Sequence, residues 1–467
     1  MKFPGGWRSG VLLAVLFVGV TEFAHGQYSF RRGDVDQDAQ FTIGDPVANL
    51  ELLFVGGEIT CLDVLDANDD GAADLADPVY LLAYLFGGGA EPAVPFQDCG
   101  FDTTADGLGC TGSIGYCFGL GGSTMLAPSI STSIEAEVAD LNGDGLPDLL
   151  VAESGSGTGR VAIWLRLPRG GYGAPQGLPL ASASDVVVAD LDLDGDLDLV
   201  AVGTGGDYRA YTNDGAGVFS TSWTFSTWPP TFSIAVADCN SDGIPDLLYD
   251  DWSNLLFRPG TGSGDFGPAT VAVPMGNTSD ETQVADLNLD GIMDVVWVTF
   301  DSPTLGAALG NGDGTFSSTF NLPVGPPSSF SESAVLAIGD LNNDTFPDLV
   351  TSGTNPSAVR TYLGDGAGGF TFTSQMSIGG ARDGVALGDI DFDGNLDVAA
   401  GRWWDGLTVG LGNGAGGFSF HGNYSLGTFT ANPWFTKIVD ADGDGDLDVL
   451  GGRANDGVGI IENLYHP

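Results

Sequence analysis

Short apolar runs separated by acidic, glycine-rich turns make up most of this chain. Segments such as 137–139, 149–152 and 185–189 are rich in Val, Leu and Ala and are bounded by Gly and Asp. Runs of this kind are typical of short buried β-strands, and the region lacks the 3.6-residue periodicity of amphipathic helices. The hydrophobic pattern therefore predicts a mainly β body.

One nine-residue pattern lies between two apolar runs in seven places. It reads Asp-x-(Asp/Asn)-x-Asp-(mostly Gly)-x-x-Asp, as in DLNGDGLPD and DLDLDGDLD. The copies begin at Asp140, Asp190, Asp238, Asp286, Asp340, Asp389 and Asp440. These positions are 50, 48, 48, 54, 49 and 51 residues apart. Such a regular period is the mark of a structural repeat.

A second turn follows each aspartate loop except the last by about 25 residues, as at 213–215, 311–314, 365–368 and 413–416. Gly, Asn and Asp dominate these turns and tolerate the positive φ that tight hairpins need. An aromatic residue comes next in each copy, and we interpret it as a packing anchor between neighbouring repeats. The aromatic residues are Tyr172, Phe219, Phe266, Phe316, Phe370 and Phe418.

A repeat of this length with two hairpins makes a four-stranded sheet, and such sheets arranged radially close into a propeller. Seven copies therefore predict a seven-bladed β-propeller. The last copy stops near residues 460–462, before its second turn, while residues 126–133 precede the first loop without a complete unit. We predict that these two segments share one blade. An open solenoid is the alternative, but it would need capping repeats.

The aspartate loops offer the oxygen ligands that Ca²⁺ prefers: side chains at positions 1, 3, 5 and 9 and a backbone carbonyl at position 7. Without a cation, carboxylates this close would repel one another. A plain acidic turn would explain one copy, but seven copies favour a structural calcium ion in each. The predicted ligands are Asp140, Asn142, Asp144, Leu146 and Asp148; Asp190, Asp192, Asp194, Asp196 and Asp198; Asp238, Asn240, Asp242, Ile244 and Asp246; Asp286, Asn288, Asp290, Ile292 and Asp294; Asp340, Asn342, Asp344, Phe346 and Asp348; Asp389, Asp391, Asp393, Asn395 and Asp397; and Asp440, Asp442, Asp444, Asp446 and Asp448.

The seven loops are not equivalent. In the fifth loop Thr345 replaces the glycine of position 6, where a positive φ is expected and a β-branched residue resists it. We predict that this loop is the weakest calcium site. The loops that begin at Asp190, Asp389 and Asp440 carry Asp rather than Asn at position 3. Their extra charge predicts tighter binding.

Two further acidic loops, at 34–45 and 66–77, have ligand spacing that ends at position 12, as in helix-type calcium loops. Each is followed by a proline suited to a first helical turn, an apolar run and a pair of glycines. We predict two loop–helix units that hold up to two calcium ions. Their ligands would be Asp34, Asp36, Asp38, Gln40 and Asp45, and Asp66, Asn68, Asp70, Ala72, Asp74 and Asp77.

The charge and the first residues indicate an exported protein that avoids polyanions. The chain has 62 acidic and 14 basic residues and a formal net charge of −48, which repels nucleic acid and anionic membranes. Lys2, Arg8 and the apolar run 11–20 before Ala24-His25-Gly26 fit a signal peptide. That run is too short for a membrane span, which needs about 20 residues. We therefore expect a secreted or cell-surface protein.

Export to an oxidising compartment predicts disulfides among Cys61, Cys99, Cys110 and Cys117, whose three pairings remain open. Cys239 stands apart from them, at a loop position that the other repeats fill with Leu, Ile or Ala. We interpret it as a buried thiol rather than a nucleophile.

Few residues are available for catalysis, so binding is the favoured function. His421, Lys437 and His466 are the only His and Lys side chains after residue 26. The candidate ligand cluster is Arg402, Trp403, Trp404 and Asp405, because adjacent tryptophans cannot both point inward from a strand. Another four tryptophans lie near turns, where they either stack on sugar rings or, in the favoured interpretation, wedge between blades: Trp223, Trp228, Trp252 and Trp434.

The repeat resembles the FG-GAP or VCBS family, which includes the head propeller of integrin α subunits. The match covers about residues 126–467 through the Asp loops and the Gly-Phe turns. It implies calcium in the blade hairpins and a ligand surface on one face. The same repeat also occurs in lectins, lyases and bacterial surface proteins, so it does not define one function.

The two N-terminal loops, over about residues 31–95, resemble a type I dockerin, which implies a cohesin partner. Ala39 stands where the first loop should have Gly, and 43–44 and 75–76 lack the Ser/Thr pairs usual for partner recognition. With the following Cys-bearing segment, the module is also similar to those on secreted proteins of planctomycete bacteria.

The sequence thus predicts four parts: a signal peptide (1–26), a dockerin-like calcium module (27–98), a Cys-containing linker (99–125) and the propeller (126–467). We expect adhesion or the binding of an extracellular glycan or protein. The alternative is a calcium-dependent polysaccharide lyase or glycosidase on the same scaffold, because propellers and dockerin-like modules both occur in such enzymes.

Overall fold

The computed structural model describes a small helical segment and a large β region. The described residues are 32–33, 35, 42–55, 62, 64–93, 120–127, 132–154, 159–168, 171–229, 231, 233–276, 278–299, 304–323, 335–354, 357–379, 381–402, 406–426, 435–453 and 457–463. The predicted signal peptide and the four cysteines at 61, 99, 110 and 117 lie outside these residues.

Two helices follow the two N-terminal acidic loops, as the sequence predicts. They are α1 (Gly44–Phe54) and α2 (Ala76–Gly87), with Pro46 and Pro78 in their first turns. Their small core consists of Val35, Val64, Leu65, Ala67 and Leu81. Within the described residues, no helix has the length and apolar character needed to cross a membrane.

The rest of the described chain forms strands that group into seven four-stranded sheets, which we number as blades. The bounds of the strands, numbered in chain order, are β1 Leu120–Ala127; in blade 1 β2 Thr132–Ala139, β3 Asp148–Ser154, β4 Arg160–Trp164 and β5 Gln176–Leu178; in blade 2 β6 Ala183–Ala189, β7 Asp198–Gly203, β8 Asp207–Asn213 and β9 Phe219–Ser226; in blade 3 β10 Ile234–Ala237, β11 Asp246–Asp250, β12 Asn254–Arg258 and β13 Thr270–Pro274; in blade 4 β14 Ser279–Ala285, β15 Asp294–Thr299, β16 Thr304–Gly310 and β17 Phe316–Pro323; in blade 5 β18 Val335–Gly339, β19 Asp348–Thr354, β20 Ser357–Gly364 and β21 Phe370–Ser377; in blade 6 β22 Ala381–Gly388, β23 Asp397–Arg402, β24 Gly406–Gly412 and β25 Phe418–Tyr424; and in blade 7 β26 Thr436–Val439, β27 Asp448–Arg453 and β28 Gly457–Asn463.

The ring is closed by a blade that combines both ends of the β region. Blade 7 has the order β26-β27-β28-β1, and β1 pairs antiparallel with β28, with Met125 opposite Gly459. The predicted shared blade and the seven-bladed propeller are confirmed, and an open solenoid is excluded. β1 begins at Leu120, ahead of the expected boundary at 126, because Gly121 and Gly122 interrupt the apolar pattern that would reveal a strand.

The antiparallel topology gives the propeller two distinct faces. Every aspartate loop joins the first and second strands of a blade, and every second turn joins the third and fourth strands. Both kinds of turn therefore lie at one end of the blades, which we call the loop face. The turns between second and third strands, and the connections to the next blade, lie at the opposite face.

The aromatic residue after each second turn packs between blades, as predicted. Phe219 of blade 2 shares a core cluster with Leu150 and Ile163 of blade 1. Phe370 of blade 5 lies in a cluster with Val296 of blade 4. The other members of the series contact the preceding blade in the same way, namely Tyr172, Phe266, Phe316 and Phe418.

Polar side chains also join the first strands of neighbouring blades. Five residues before the aspartate loop, a polar side chain accepts a backbone N–H from the next blade: Asp185 from Ile234 at 2.8 Å and Glu281 from Leu336 at 3.0 Å. At the seam between blades 7 and 1, Lys437 Nζ lies 3.0 Å from Glu135 Oε1. These bonds satisfy backbone groups and charges close to the axis of the propeller.

The inter-blade role of Phe370 predicts a large loss of stability when the ring is removed. Phe370 is 5% exposed, whereas Phe372 on the same strand is 49% exposed. The Phe370→Ala variant should lower the free energy of unfolding by about 3 kcal/mol. Phe372→Ala is the matched control and should cost less than about 1 kcal/mol. Urea unfolding followed by tryptophan fluorescence measures both, and equal losses would contradict the anchor role.

Candidate metal centres

The first aspartate of each loop organises the turn around its carboxylate. In the first loop, Asp140 accepts hydrogen bonds from the backbone N–H groups of Asp144 at 3.1 Å and Gly145 at 2.8 Å. The same pair of bonds occurs in the loops that begin at Asp190, Asp238, Asp286 and Asp340. The carboxylate of the first position therefore sits inside the turn, against the backbone N–H groups of positions 5 and 6.

The ninth aspartate is buried and joins three parts of the blade. Asp198 begins the second strand β7 and is 0% exposed. Its Oδ2 accepts the N–H of Leu191 at the loop's second position, at 2.9 Å. Its Oδ1 accepts the N–H of Asn213 at the end of the third strand, at 2.8 Å. The equivalent residues, Asp148, Asp246, Asp294, Asp348, Asp397 and Asp448, make the same two bonds.

Each loop contains two residues in the left-handed backbone conformation. Position 6 has φ between +77° and +101° in all seven loops, and Thr345 at +77° adopts it despite its branched side chain. Position 4 is left-handed as well, at φ +63° for Leu193 and +56° for Phe392. For residues other than Gly, this conformation costs about 1–2 kcal/mol of conformational free energy. The carboxylate hydrogen bonds and any bound cation must offset that strain.

Three loops gather carboxylate oxygens most closely. One oxygen from each of three aspartates lies within 4.8 Å of the other two in the groups Asp190, Asp192 and Asp194; Asp389, Asp391 and Asp397; and Asp440, Asp442 and Asp448. These are the three loops with Asp at position 3. Oδ1 of Asp192 and Oδ1 of Asp389 are buried and have no hydrogen-bond partner in the part of the chain that the structure describes. A cation among them would satisfy these oxygens, so the residues fit the metal that the sequence predicts.

Burial makes the ionised state of these carboxylates unfavourable when no cation compensates it. Burial, followed by repulsion from Asp391, raises the pKa of Asp397 from its ordinary value of 3.8 to about 8. Burial likewise raises the pKa of Asp246 and of Asp448 to about 7. A cation favours the charged form of a carboxylate and would lower each pKa again.

The second N-terminal loop has the same internal geometry as the propeller loops. Asp66 accepts the N–H of Asp70 at 3.1 Å and of Gly71 at 2.8 Å. Asp69 and Gly71 are left-handed, at φ +57° and +82°. Asp77 is fully buried and accepts the N–H groups of Asn68 and Asp74. The aspartate turn is thus used in both regions, before a helix in one and before a strand in the other.

Several predicted residues lie outside the part of the chain that the structure describes. Among them are the ligands of the first N-terminal loop, namely Asp34, Asp36, Asp38 and Gln40, and the ligand cluster members Trp403, Trp404 and Asp405. Asp45 is described and buried, and accepts the N–H of Val35 and Thr42. Arg402 ends β23 and donates to the Gly379 carbonyl at 3.3 Å. Cys239 is 0% exposed in the core, as predicted for a buried thiol.

The loops also bond to the following blade, which the sequence interpretation did not foresee. Asn213 Nδ2 donates to the Leu141 carbonyl at 2.7 Å, and Asn463 Nδ2 donates to the Ile390 carbonyl at 3.0 Å. Arg166 occupies the equivalent position in blade 1 and reaches the Ala441 carbonyl at 2.9 Å. The carbonyl is in each case that of the loop's second position. The equivalent residue is glycine in blades 3 to 6, so the sequence carries no common signal for these donors.

Comparison with known proteins identifies the repeat and the architecture. A sequence model described as the FG-GAP-like repeat matches residues 140–201, 190–249, 286–351, 340–400 and 389–451. No curated protein matches the chain by sequence. The matched segments begin at five of the seven aspartate loops and span most of the propeller.

Solved structures with similar folds have low sequence identity to the chain. The BP39L lectin from Burkholderia pseudomallei is 16% identical with a TM-score of 0.54, covering 71% of this chain and 95% of the lectin. BBS1N, solved in complex with ARL6DN, is 12% identical with a TM-score of 0.51, covering 73% and 95%. An Agrocybe aegerita lectin that recognises non-reducing terminal N-acetylglucosamine is 19% identical with a TM-score of 0.45, covering 63% and 81%. At these identities the likeness concerns the fold alone.

The left-handed conformation of Thr345 predicts that glycine is better at this position. The Thr345→Gly variant should raise the free energy of unfolding by about 1 kcal/mol, because relief of strain exceeds the backbone entropy that glycine loses. Thr345→Ala keeps a Cβ and serves as the control, with no comparable gain. Thermal unfolding of the three proteins measures the effect, and a less stable glycine variant would contradict the interpretation.

The raised pKa values predict that the metal-free protein loses stability as pH rises. The folded pKa of Asp397, about 8, and that of Asp246, about 7, exceed the ordinary 3.8, so the folded chain binds more protons than the unfolded chain between these limits. In chelator, the free energy of unfolding should therefore fall between about pH 4 and pH 8. Excess Ca²⁺ should flatten this dependence. Urea unfolding at several pH values tests it, and stability that rises with pH in chelator would refute it.

Proposed function

Because this chain belongs to the family of FG-GAP-like repeat proteins, we propose that it is a secreted, calcium-stabilised propeller that binds an extracellular glycan or protein, as in adhesion. The observation that carries the proposal is the repeated loop, in which the first carboxylate accepts the N–H of position 6 and positions 4 and 6 are left-handed in all seven blades. A ring of loops stabilised by bound calcium would provide a rigid scaffold for ligand recognition.

Calcium is the cation that best suits these loops. The side-chain donors are carboxylates and amides, and the remaining donor is a backbone carbonyl, so all ligands are oxygens. Ca²⁺ takes six to eight oxygen ligands in flexible geometry, whereas zinc, copper and iron sites use His or Cys. The three groups of clustered aspartates carry the most charge and would bind most tightly. The second N-terminal loop contains the same turn, so we extend the proposal of calcium binding to a dockerin-like module in that region.

Several charged groups of the propeller are engaged in contacts that serve the fold. The ninth aspartates are bonded to backbone N–H groups on both oxygens. Lys437 lies between Glu135 at 3.0 Å and Glu137 at 3.3 Å. With these groups engaged in structure, the variable turns of the surface are the parts that can recognise a ligand. This supports binding over catalysis.

Metal content and thermal unfolding of the full chain test the proposal. Gel-filtered protein should retain about seven Ca²⁺ in the propeller and up to two in the N-terminal module, as measured by elemental analysis. Chelation should lower the melting temperature by about 10 °C or more, because a ligand of the folded state stabilises it by mass action. Calcium-loaded protein should also bind on glycan or extracellular-protein arrays, and chelated protein should not.

A pair of charge-matched variants separates coordination from overall charge. Asp391→Asn removes a carboxylate from a clustered loop and should weaken the response of the melting temperature to calcium. Asp214→Asn removes the same charge from an exposed second turn and should leave that response unchanged. Retention of no calcium, with a melting temperature indifferent to chelator, would refute the calcium-stabilised function.

A further inference from the structure

Two tryptophans are exposed at the face opposite the aspartate loops. Trp228 is 82% exposed and Trp252 is 47% exposed. Trp223, by contrast, packs between blades, with its ring 5.3 Å from that of Phe266 in blade 3. The wedge interpretation therefore holds for Trp223 but not for Trp228 and Trp252. Exposed apolar groups that form a contiguous patch commonly mark a binding site.

The topology places these two tryptophans in two segments on the same face of the propeller. Trp228 lies in the connection from β9 of blade 2 to β10 of blade 3. Trp252 lies in the turn between β11 and β12 of blade 3. Both segments belong to the opposite face, away from the candidate metal centres. The two tryptophans therefore lie in segments that both border blade 3, on the face opposite the aspartate loops.

One buried carboxylate anchors both segments. Asp250 is 0% exposed, and its Oδ1 accepts the N–H of Trp252 at 2.8 Å. Its Oδ2 accepts the hydroxyl of Thr231, three residues after Trp228, at 2.6 Å. Thr278 and Ser279, from the connection to blade 4, donate to the same carboxylate at 3.0 and 2.8 Å. Asp250 therefore fixes the two tryptophan-bearing turns relative to each other.

The backbone of Trp252 is held in an unfavourable conformation. Its φ is +74°, a left-handed value that costs a non-glycine residue about 1–2 kcal/mol. Asp251 secures the rest of the turn, because its Oδ1 accepts the N–H groups of Ser253 at 3.1 Å and Asn254 at 2.8 Å. Strain of this kind persists where the surroundings impose it, and it concentrates at ligand sites. Here the strained residue carries the exposed ring of Trp252, and the hydrogen bonds of Asp250 and Asp251 hold its turn.

We propose that Trp228 and Trp252 form a binding platform for a neutral glycan on the opposite face of blades 2 and 3. The inference rests on the proposed function of extracellular binding. Indole rings stack on the apolar faces of sugar rings while polar neighbours bond to hydroxyls. The net charge of −48 disfavours polyanionic glycans. A platform held by a buried carboxylate is rigid before the ligand arrives, which lowers the entropic cost of binding.

Affinity electrophoresis of the full calcium-loaded chain tests the platform. Native gels would contain one soluble neutral polysaccharide each: mixed-linkage β-glucan, xyloglucan, galactomannan or arabinoxylan. At least one should retard the protein, and Trp228→Ala and Trp252→Ala should each weaken that retardation about tenfold or more. Trp252→Phe should retain much of it. Phe420→Ala, which removes a 57% exposed ring from blade 6, is the matched control and should migrate like the parent protein.

The outcomes separate the platform from the proposed function. Circular dichroism and melting temperature in calcium confirm that each variant is folded. Retardation that is equal in the parent and both alanine variants would refute the platform and leave glycan binding in place. A calcium-loaded protein that no polysaccharide retards would refute the glycan platform. If it then captured an extracellular protein on an array through the same tryptophans, the function as a binding protein would stand with a different ligand.

Discussion

A buried carboxylate at the ninth position of every aspartate loop accepts one N–H from its own loop and one from the end of the third strand. In blade 2 these donors are Leu191 and Asn213, and Asp198 is the acceptor. The first, second and third strands of the blade are thereby joined at one side chain. Because the carboxylate is removed from water, its charge needs compensation beyond two neutral N–H groups. The stability of the loop face and the cation site that we propose would therefore have the same origin.

The same loops also contribute to the contacts between blades. Donors from the next blade, such as Asn213 Nδ2 and Arg166 Nη1, bond to the carbonyl of the loop's second position. That carbonyl adjoins the N–H that the ninth aspartate accepts. The residue at the loop's second position therefore bonds to the ninth aspartate of its own blade through its N–H and to the neighbouring blade through its carbonyl. In a closed ring every blade has two neighbours, so loss of the cations that we propose would weaken both the blades and the contacts between them.

The sequence predicted the architecture well because the same pattern of apolar runs and turns recurs in seven copies. Blade number, the shared blade and the inter-blade aromatics all followed from period, apolar runs and turn residues. The left-handed backbone of Leu193 and Phe392 could not be predicted, since such residues disfavour it. Only the Gly143, Asn343 and Gly443 of other copies pointed to that conformation. The exposure of Trp228 and Trp252 also depended on tertiary context, because a tryptophan near a turn packs equally well between blades.

The two faces of the propeller are under different constraints. On the loop face each aspartate loop has nine positions in every blade, and two of these positions are left-handed in every loop. On the opposite face the connections differ in length; for example, 378–380 joins β21 to β22, whereas the longer 227–233 joins β9 to β10. A longer connection there leaves the carboxylate network untouched. Stability can therefore reside in the loops of constant length, while recognition depends on the connections of variable length. The strained and exposed Trp252 lies on the face that carries these variable connections.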